Sequence, residues 1–286
     1  MDLYNTKTYI LYNIIYIIYN KLLLLLLFLN ITIIFKFYYK IENFSNKCKN
    51  KISIVIPCIP RDIKYLDRLL ISIKNQTFQP YEIIIAISEY SFNKSKLLEK
   101  KLINKYNLPI KIINSNNKHL PSGNRNRGSL KATGDIITFM DADDIMYPYK
   151  LEYINIYFNK YNPKVFIHSY SKGYNNFEKT NKNPEIYFGD QIYDMAIKSD
   201  GTILNNILNW RNTNDKIYIN NKMHHGHVTI PRYIIKKIKF REGYEYKRGE
   251  DCVFIREILD TYGRHKNTAL FVNIPLSQYI PSAKQN

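Results

Sequence analysis

Cysteine is scarce: Cys48, Cys58 and Cys252 are the only three in 286 residues. An odd number with no metal-ligand or redox spacing excludes a disulfide framework and a cysteine-based zinc site. Buried free thiols are the expected state. Acidic residues are also in the minority, 24 against 42 basic ones, which gives a net charge of +18. Such a balance invites a nucleic-acid or anionic-membrane partner. Here, however, the excess of Lys, Asn, Ile and Tyr is spread along the whole chain, as the codon bias of an AT-rich genome would spread it. No RNA-binding signature or recognition-helix motif accompanies it, so no nucleic-acid partner is expected. Internal repeats are absent too.

Long apolar runs are missing except at the start, where residues 9–39 are almost wholly aliphatic and aromatic. The best span is "LLLLLLFLNITIIF", Leu22 to Phe35, with Lys21 and Lys36 placed to snorkel to two interfaces. No small-residue cleavage site follows it, which argues against a signal peptide. The expectation is an N-terminal hydrophobic anchor helix and a lysine-rich linker over residues 1–50, followed by one catalytic domain over 51–286. Lys36, Lys40, Lys47, Lys49 and Lys51 after the span predict a single-pass membrane protein whose catalytic part faces the cytosol.

With 45% hydrophobic residues the rest can bury a core, and its pattern alternates strand and helix. "ISIVIP" (Ile52–Pro57), "YEIIIAI" (Tyr81–Ile87), "IKIIN" (Ile110–Asn114) and "DIITFM" (Asp135–Met140) read as buried strands. Between them, Leu66, Leu69, Leu70 and Ile73 fall on one helical face behind Asp62, and Leu98 and Leu102 mark a second helix. "PSGNRNRGSLKATGD" (Pro121–Asp135) reads as a helix closed by Gly134, with Gly128 and Ala132 letting it approach the sheet. Leu151, Ile154 and Phe158 share a face after Pro148. Phe254, Ile255, Ile258 and Leu259 do so before a stop at Gly263. The fold class is α/β, with a doubly wound, mostly parallel sheet. Residues 170–222 show only weak periodicity.

The informative feature is "FMDADDIMYPYKLE", which sets Asp141, Asp143 and Asp144 at the carboxyl end of the fourth strand. Open α/β sheets bind ligands at that edge. Carboxylates so close repel one another unless something positive lies between them. An isolated acidic turn is also an ordinary solvated helix cap, so the context matters. Hard oxygen ligands in this pattern suit Mn²⁺ or Mg²⁺ bridging phosphate oxygens. The helix opened by Gly123–Asn124–Arg125–Asn126 offers free N–H groups and a cation to a phosphate. In "RGEDCVF", Glu250 and Asp251 occupy a helix's first turn, where acids also simply complement the dipole.

Taken in order, these segments resemble the inverting family 2 glycosyltransferases of the GT-A fold, over roughly Ile52 to Gly263. "SIVIPCIPRDIKYLDRLLISIKNQTF" is similar to that family's opening strand and helix. "PSGNRNRGSLKATGDIITFMDADDIMYPYKLE" is similar to its Arg-Asn helix and DxD strand, and "GEDCVFIREIL" to its late acidic motif. The resemblance implies a Rossmann-like nucleotide-sugar half joined to an acceptor half. It implies that Asp141 and Asp143 bind the metal and diphosphate of a nucleotide-sugar donor, a UDP-sugar by expectation. Pro57, Glu89, Arg125 and Asn126 would contact the donor, and Asp251 would be the general base. The acceptor is a glycan, lipid or protein hydroxyl. "HHGHVTIPR" (His224–Arg232) is expected to line the acceptor side.

Two departures stand out. The second strand ends "AISEYS", with Ser88 and Glu89 where the family usually carries aspartates, so Glu89 is the candidate for the nucleotide base. Trp210 precedes Glu250 and lacks a Gln-x-x-Arg-Trp context, which favours single transfer over a processive synthase. The rival readings are a nucleotidyltransferase, which gives "GED" no role, and an inactive tethered binding module.

Overall fold

Four β-branched runs build the half of the sheet that carries the acidic turn. The computed structural model describes residues 49–172, 184–189, 225–246, 249–263 and 265–280, with short pieces before residue 34. The chain divides into two compact units, residues 1–49 and 50–286. In the second, β1 (Ile52–Cys58), β2 (Glu82–Ile87), β3 (Ile110–Asn114) and β4 (Ile136–Phe139) pair in parallel in the order β3-β2-β1-β4. β1, β2 and β4 are buried throughout, as strands covered on both faces must be. The crossovers are α1 (Leu66–Lys74), α2 (Phe92–Tyr106) and α3 (Pro121–Lys131). Leu66, Leu69, Leu70 and Ile73 of α1 are all buried, as their spacing predicts.

Side chains of β1 alternate between two apolar layers. Ile52, Ile54 and Ile56 pack with α1 and β2 residues such as Leu69, Leu70, Ile83 and Ile85. Val55 points the other way, toward Ile84, Phe139 and Phe254. This period of two is what places helices on both faces. Helix α3 lies very close to the sheet. A Cβ on Gly128 would stand 2.5 Å from Val55 Cγ1, so only glycine fits there. The helix stops at Lys131, short of the closure at Gly134 that its sequence suggests.

Beyond β4 the sheet is mixed rather than parallel. β5 (Ile145–Met146), α4 (Lys150–Tyr161), β6 (Val165–Lys172), β7 (Ile186–Phe188), β8 (Thr229–Pro231), α5 (Ile234–Lys237), α6 (Glu250–Tyr262) and β9 (Ala269–Tyr279) follow. β8 runs antiparallel to β4 and β6, whereas β6 and β9 are parallel; β5 and β7 lie antiparallel to β9. Strands of two or three residues carry no readable period, which is why a mostly parallel sheet was the expectation. Helix α6 buries Phe254, Ile255, Ile258 and Leu259, and Gly263 ends it at φ +77°. That left-handed conformation is one glycine adopts without penalty.

The anchor expectation is corrected. Among the described residues, no helix is long and apolar enough to cross a membrane. The run between Lys21 and Lys36 holds 14 residues, which as a helix spans about 21 Å, short of the roughly 30 Å of a bilayer core. The single-pass localisation and the cytosolic orientation derived from it fall with it. The remainder of residues 1–48 lies outside the described residues, as does most of 170–222.

A buried carboxylate ties the sheet to α3. Glu82 Oε1 accepts from the Thr133 amide at 2.6 Å, the Thr133 hydroxyl at 2.8 Å and the Ser53 hydroxyl at 2.8 Å, while Oε2 meets Lys111 Nζ at 2.9 Å. Burial pushes its pKa up, but these donors outweigh burial and hold it at about 2 against an ordinary 4.5. A depressed carboxyl stabilises the fold above its unfolded pKa, and that contribution is lost as pH falls from about 4.5 toward 2. Glu82→Gln should therefore show a lower melting temperature at neutral pH. Its melting temperature should also fall less steeply than the native one between about pH 5 and pH 3 in a calorimetric series. Parallel profiles would contradict the assignment.

Candidate active site

The carboxyl ends of β1, β2 and β4 open into a cavity of about 390 Å³. Pro57 comes from β1, Glu89 from the turn after β2, and Arg125 from α3. Asp141 and Asp143 follow β4, and Glu250 and Asp251 open α6; all line this cavity. Six of the seven residues that the resemblance gives a donor, metal or base role thus share one space. Asn126 stands apart. Its Nδ2 donates to Phe240 O at 2.8 Å and Glu242 Oε1 at 2.7 Å, and its Oδ1 accepts from the Phe240 amide at 2.9 Å. It fastens the segment before α6 to α3.

Arg125 is placed differently from a phosphate ligand. Its guanidinium is buried, with Nη2 2.7 Å from Asp141 Oδ1 and Nη1 2.8 Å from Glu250 Oε1, and it lies over the Phe240 ring at 5.5 Å. Burial opposes its charge, but Asp141, Glu250 and Asp251 outweigh that and hold its pKa above the ordinary arginine value. Glu250 is raised, first by burial and then by Asp251, against the pull of Arg125. One cation thus bridges the acidic turn and the late acidic motif, reaching a partner 16 positions away in one and 125 positions away in the other.

Other bonds hold the acidic turn from beneath. Arg68 of α1 donates to the Asp143 carbonyl. Asp144 is buried, its Oδ1 accepting from the Ile280 amide at 2.8 Å and its Oδ2 lying 3.2 Å from His227 Nε2. Burial raises its pKa well above the usual carboxylate value. Lys150, wholly buried at the start of α4, has Nζ 3.0 Å from Met140 Sδ. Burial lowers it to about 7, against the pull of Asp144 and Asp141. Cys58 is pushed up to about 12 by burial and then by Asp62, so it is an inert thiol and not a nucleophile.

Glu89 carries backbone strain. Among the described residues, three non-glycines have positive φ: Asn107 and Asn162, which cap the ends of α2 and α4, and Glu89 at +54°. Asparagine is at home in that role, whereas Glu89 ends no helix. Its amide donates to Asn117 O at 3.2 Å. Ser88 faces inward, where its Oγ accepts from Asn124 Nδ2 at 3.1 Å, so of the two it is Glu89 that meets the cavity.

Sequence reading named the histidine-bearing segment but assigned it to the acceptor side. His227 instead lies beneath the acidic turn, Nδ1 2.8 Å from Ser277 Oγ and Nε2 3.2 Å from the Asp141 amide. Asp141, Asp144 and His227 each offer one ligand atom, all within 4.8 Å of one another. Two carboxylates and an imidazole suit a divalent cation such as Mn²⁺. No local pattern places a histidine 86 positions downstream under an aspartate turn; only the β4–β8 pairing does.

Residues 53–239 match the family model described as Glycosyl transferase family 2. The chain belongs to that family. It is 34% identical over 95 residues to the GalNAc(5)-diNAcBac-PP-undecaprenol beta-1,3-glucosyltransferase of Campylobacter jejuni, covering 33% of this chain and 30% of that protein. It is 34% identical over 96 residues to the cholesterol galactosyltransferase of Borreliella burgdorferi, covering 34% and 26%. The chain thus matches under a third of the length of either relative. The crystal structure of S. aureus TarS 1-349 in complex with UDP-GlcNAc superposes with a TM-score of 0.56 at 17% identity, over 81% of this chain and 58% of that one. The fold is GT-A-like, with a mixed, curled sheet.

The Arg125 bridge makes a stability prediction. Removing one member of a buried ion network leaves uncompensated charge, at a cost of about 3–5 kcal/mol. Arg125→Met should lower the free energy of unfolding in urea by that order. Arg125→Lys, which keeps the charge and loses the fork, should lie between. A native midpoint for Arg125→Met would remove the bridge from the account.

Proposed function

We propose that this glycosyltransferase moves a sugar from a nucleotide-sugar donor, a UDP-sugar, to an acceptor hydroxyl in a single inverting, non-processive displacement assisted by a divalent cation. The observation that carries this reading is the sharing of one cavity by Asp141, Asp143 and Asp251. Relatives bearing glucosyltransferase and galactosyltransferase names and a UDP-GlcNAc complex with the same fold support the donor class. The residues present fit Mn²⁺ or Mg²⁺, which when bound neutralises charge on the departing diphosphate.

The chain's own groups divide the remaining work. Asp141 and Asp143 present carboxylates at the β4 end of the cavity. Glu89 and Pro57 border its nucleoside end, and the Glu89 carboxylate accepts an N–H of the base. Asp251 sits in the first turn of α6, its Oδ1 2.9 Å from the Cys252 amide, where helix N–H groups favour an anion. As general base, Asp251 takes the acceptor's proton while that oxygen attacks the anomeric carbon. The nucleoside diphosphate leaves on the opposite side, so the configuration inverts. Arg125 keeps the two carboxylate groups at a set separation without itself touching the donor.

Donor affinity and turnover separate these roles. Asp141→Asn should weaken Mn²⁺-dependent binding of UDP in calorimetry. Asp251→Asn should leave UDP binding nearly native and lower sugar transfer by about 10²–10⁴-fold, the usual contribution of a general base. An Asp251→Asn enzyme that turns over normally, or that loses UDP binding as Asp141→Asn does, would show the roles to be misassigned.

A further inference from the structure

Besides Arg125, two cations line the cavity, Arg61 and Lys118, against six carboxylic side chains. A nucleoside diphosphate is itself an anion. Its entry into an acid-lined space needs positive charge facing the phosphates, and one divalent ion offsets only part of the excess. Two of the three protein cations are already committed. Arg125 is buried between Asp141 and Glu250, and Arg61 turns to its neighbour Asp62, Nε 2.8 Å from Oδ1. Lys118 is exposed at the cavity wall and, among the described residues, pairs with no carboxylate.

The backbone around Lys118 is held in place. It belongs to the loop of residues 115–120 between β3 and α3. The Ser115 amide donates to Ile87 O at 2.9 Å, the Tyr90 amide to Ser115 O at 2.9 Å and the Glu89 amide to Asn117 O at 3.2 Å. Within the loop, the Asn117 amide donates to Ser115 Oγ at 3.1 Å, and that hydroxyl lies 3.0 Å from His119 Nε2. The residues on either side of Lys118 are thus tied to Ser115, and the same loop is bonded to the turn that carries Glu89. In the order β3-β2-β1-β4 this loop stands on the Glu89 side of the cavity and the acidic turn on the other.

We infer that Lys118 is the protein's own cationic ligand for the donor's phosphates, presented together with Glu89 as one hydrogen-bonded unit. This rests on the nucleotide-sugar reading above and deepens it. The Glu89 carboxylate meets the base, and the ammonium, a compact point charge on a flexible stem, meets the anion that the surrounding acids repel. One lysine among 42 basic residues carries no mark in the sequence; the bonds between its loop and the Glu89 turn single it out.

The test is a calorimetric titration of the full chain with UDP and Mn²⁺, at low and at high potassium chloride. Lys118→Met should weaken UDP binding about tenfold, the scale of a hydrogen bond to a charged group. It should also flatten the loss of affinity with salt, because one screened charge pair fewer forms. Lys118→Arg, which keeps the charge, should retain most of the affinity. Both variants should melt at the native temperature, as replacement of an exposed side chain does. Native affinity and native salt dependence in Lys118→Met, or equal losses in the two variants, would overturn the assignment and leave the donor reading standing. Failure of the native chain to bind UDP at either salt concentration would instead remove the donor reading, and this inference with it.

Discussion

The candidate site depends on one buried guanidinium. The first acidic group follows β4, the second opens α6, and the chain between them crosses to the far half of the sheet and back. Nothing in the local backbone joins them. Arg125 does, with one carboxylate on each arm of its fork and an aromatic ring beneath. Two acids brought together in a half-dry cavity would repel, and each would pay a desolvation penalty; the shared cation offsets both effects. Lysine could supply the charge but not two fixed directions.

That constraint explains much of the surrounding packing. For Arg125 to reach both acids, α3 must lie almost on the sheet, which Gly128 permits. The Phe240 ring must sit under the guanidinium, and Asn126 holds the Phe240 backbone there with two bonds. Phe240 is in turn clasped between Phe139 of β4 and Phe254 of α6, at ring distances of 5.0 and 4.0 Å. Adjacent residues of α3 therefore do different work: Arg125 reaches forward to the cavity and Asn126 backward to the segment preceding α6.

Much of this was legible in the sequence because it rests on periodicity and on local motifs. The four parallel strands, the inward face of α1, the close approach at Gly128 and the stop at Gly263 all follow from spacing and side-chain size. The acidic turn and "GED" were legible as cavity-lining acids because both sit at element ends. What spacing could not reveal were relations across the sheet. Arg125 reads as a phosphate ligand at a helix start, yet its partners are two carboxylates, Asp141 half-buried and Glu250 buried. His227 reads as part of an acceptor segment, yet the antiparallel β8 carries it under Asp141. The apolar N-terminus reads as a membrane span, yet among the described residues no helix is long and apolar enough to cross a membrane. Glu89 is visible only as a departure from a familiar pattern; its strained backbone appears in the fold alone.

The central claim is that the cavity performs an inverting displacement on a nucleotide sugar, with Asp251 opposite the leaving diphosphate. Its most direct measurement is a proton NMR time course of UDP-glucose and UDP-N-acetylglucosamine with the full chain and Mn²⁺, water serving as the acceptor. The account predicts that one of these α-linked donors releases UDP and that the β-anomer of the free sugar appears first, before mutarotation mixes the two. Initial release of the α-anomer, or of pyrophosphate in place of the nucleoside diphosphate, would contradict it.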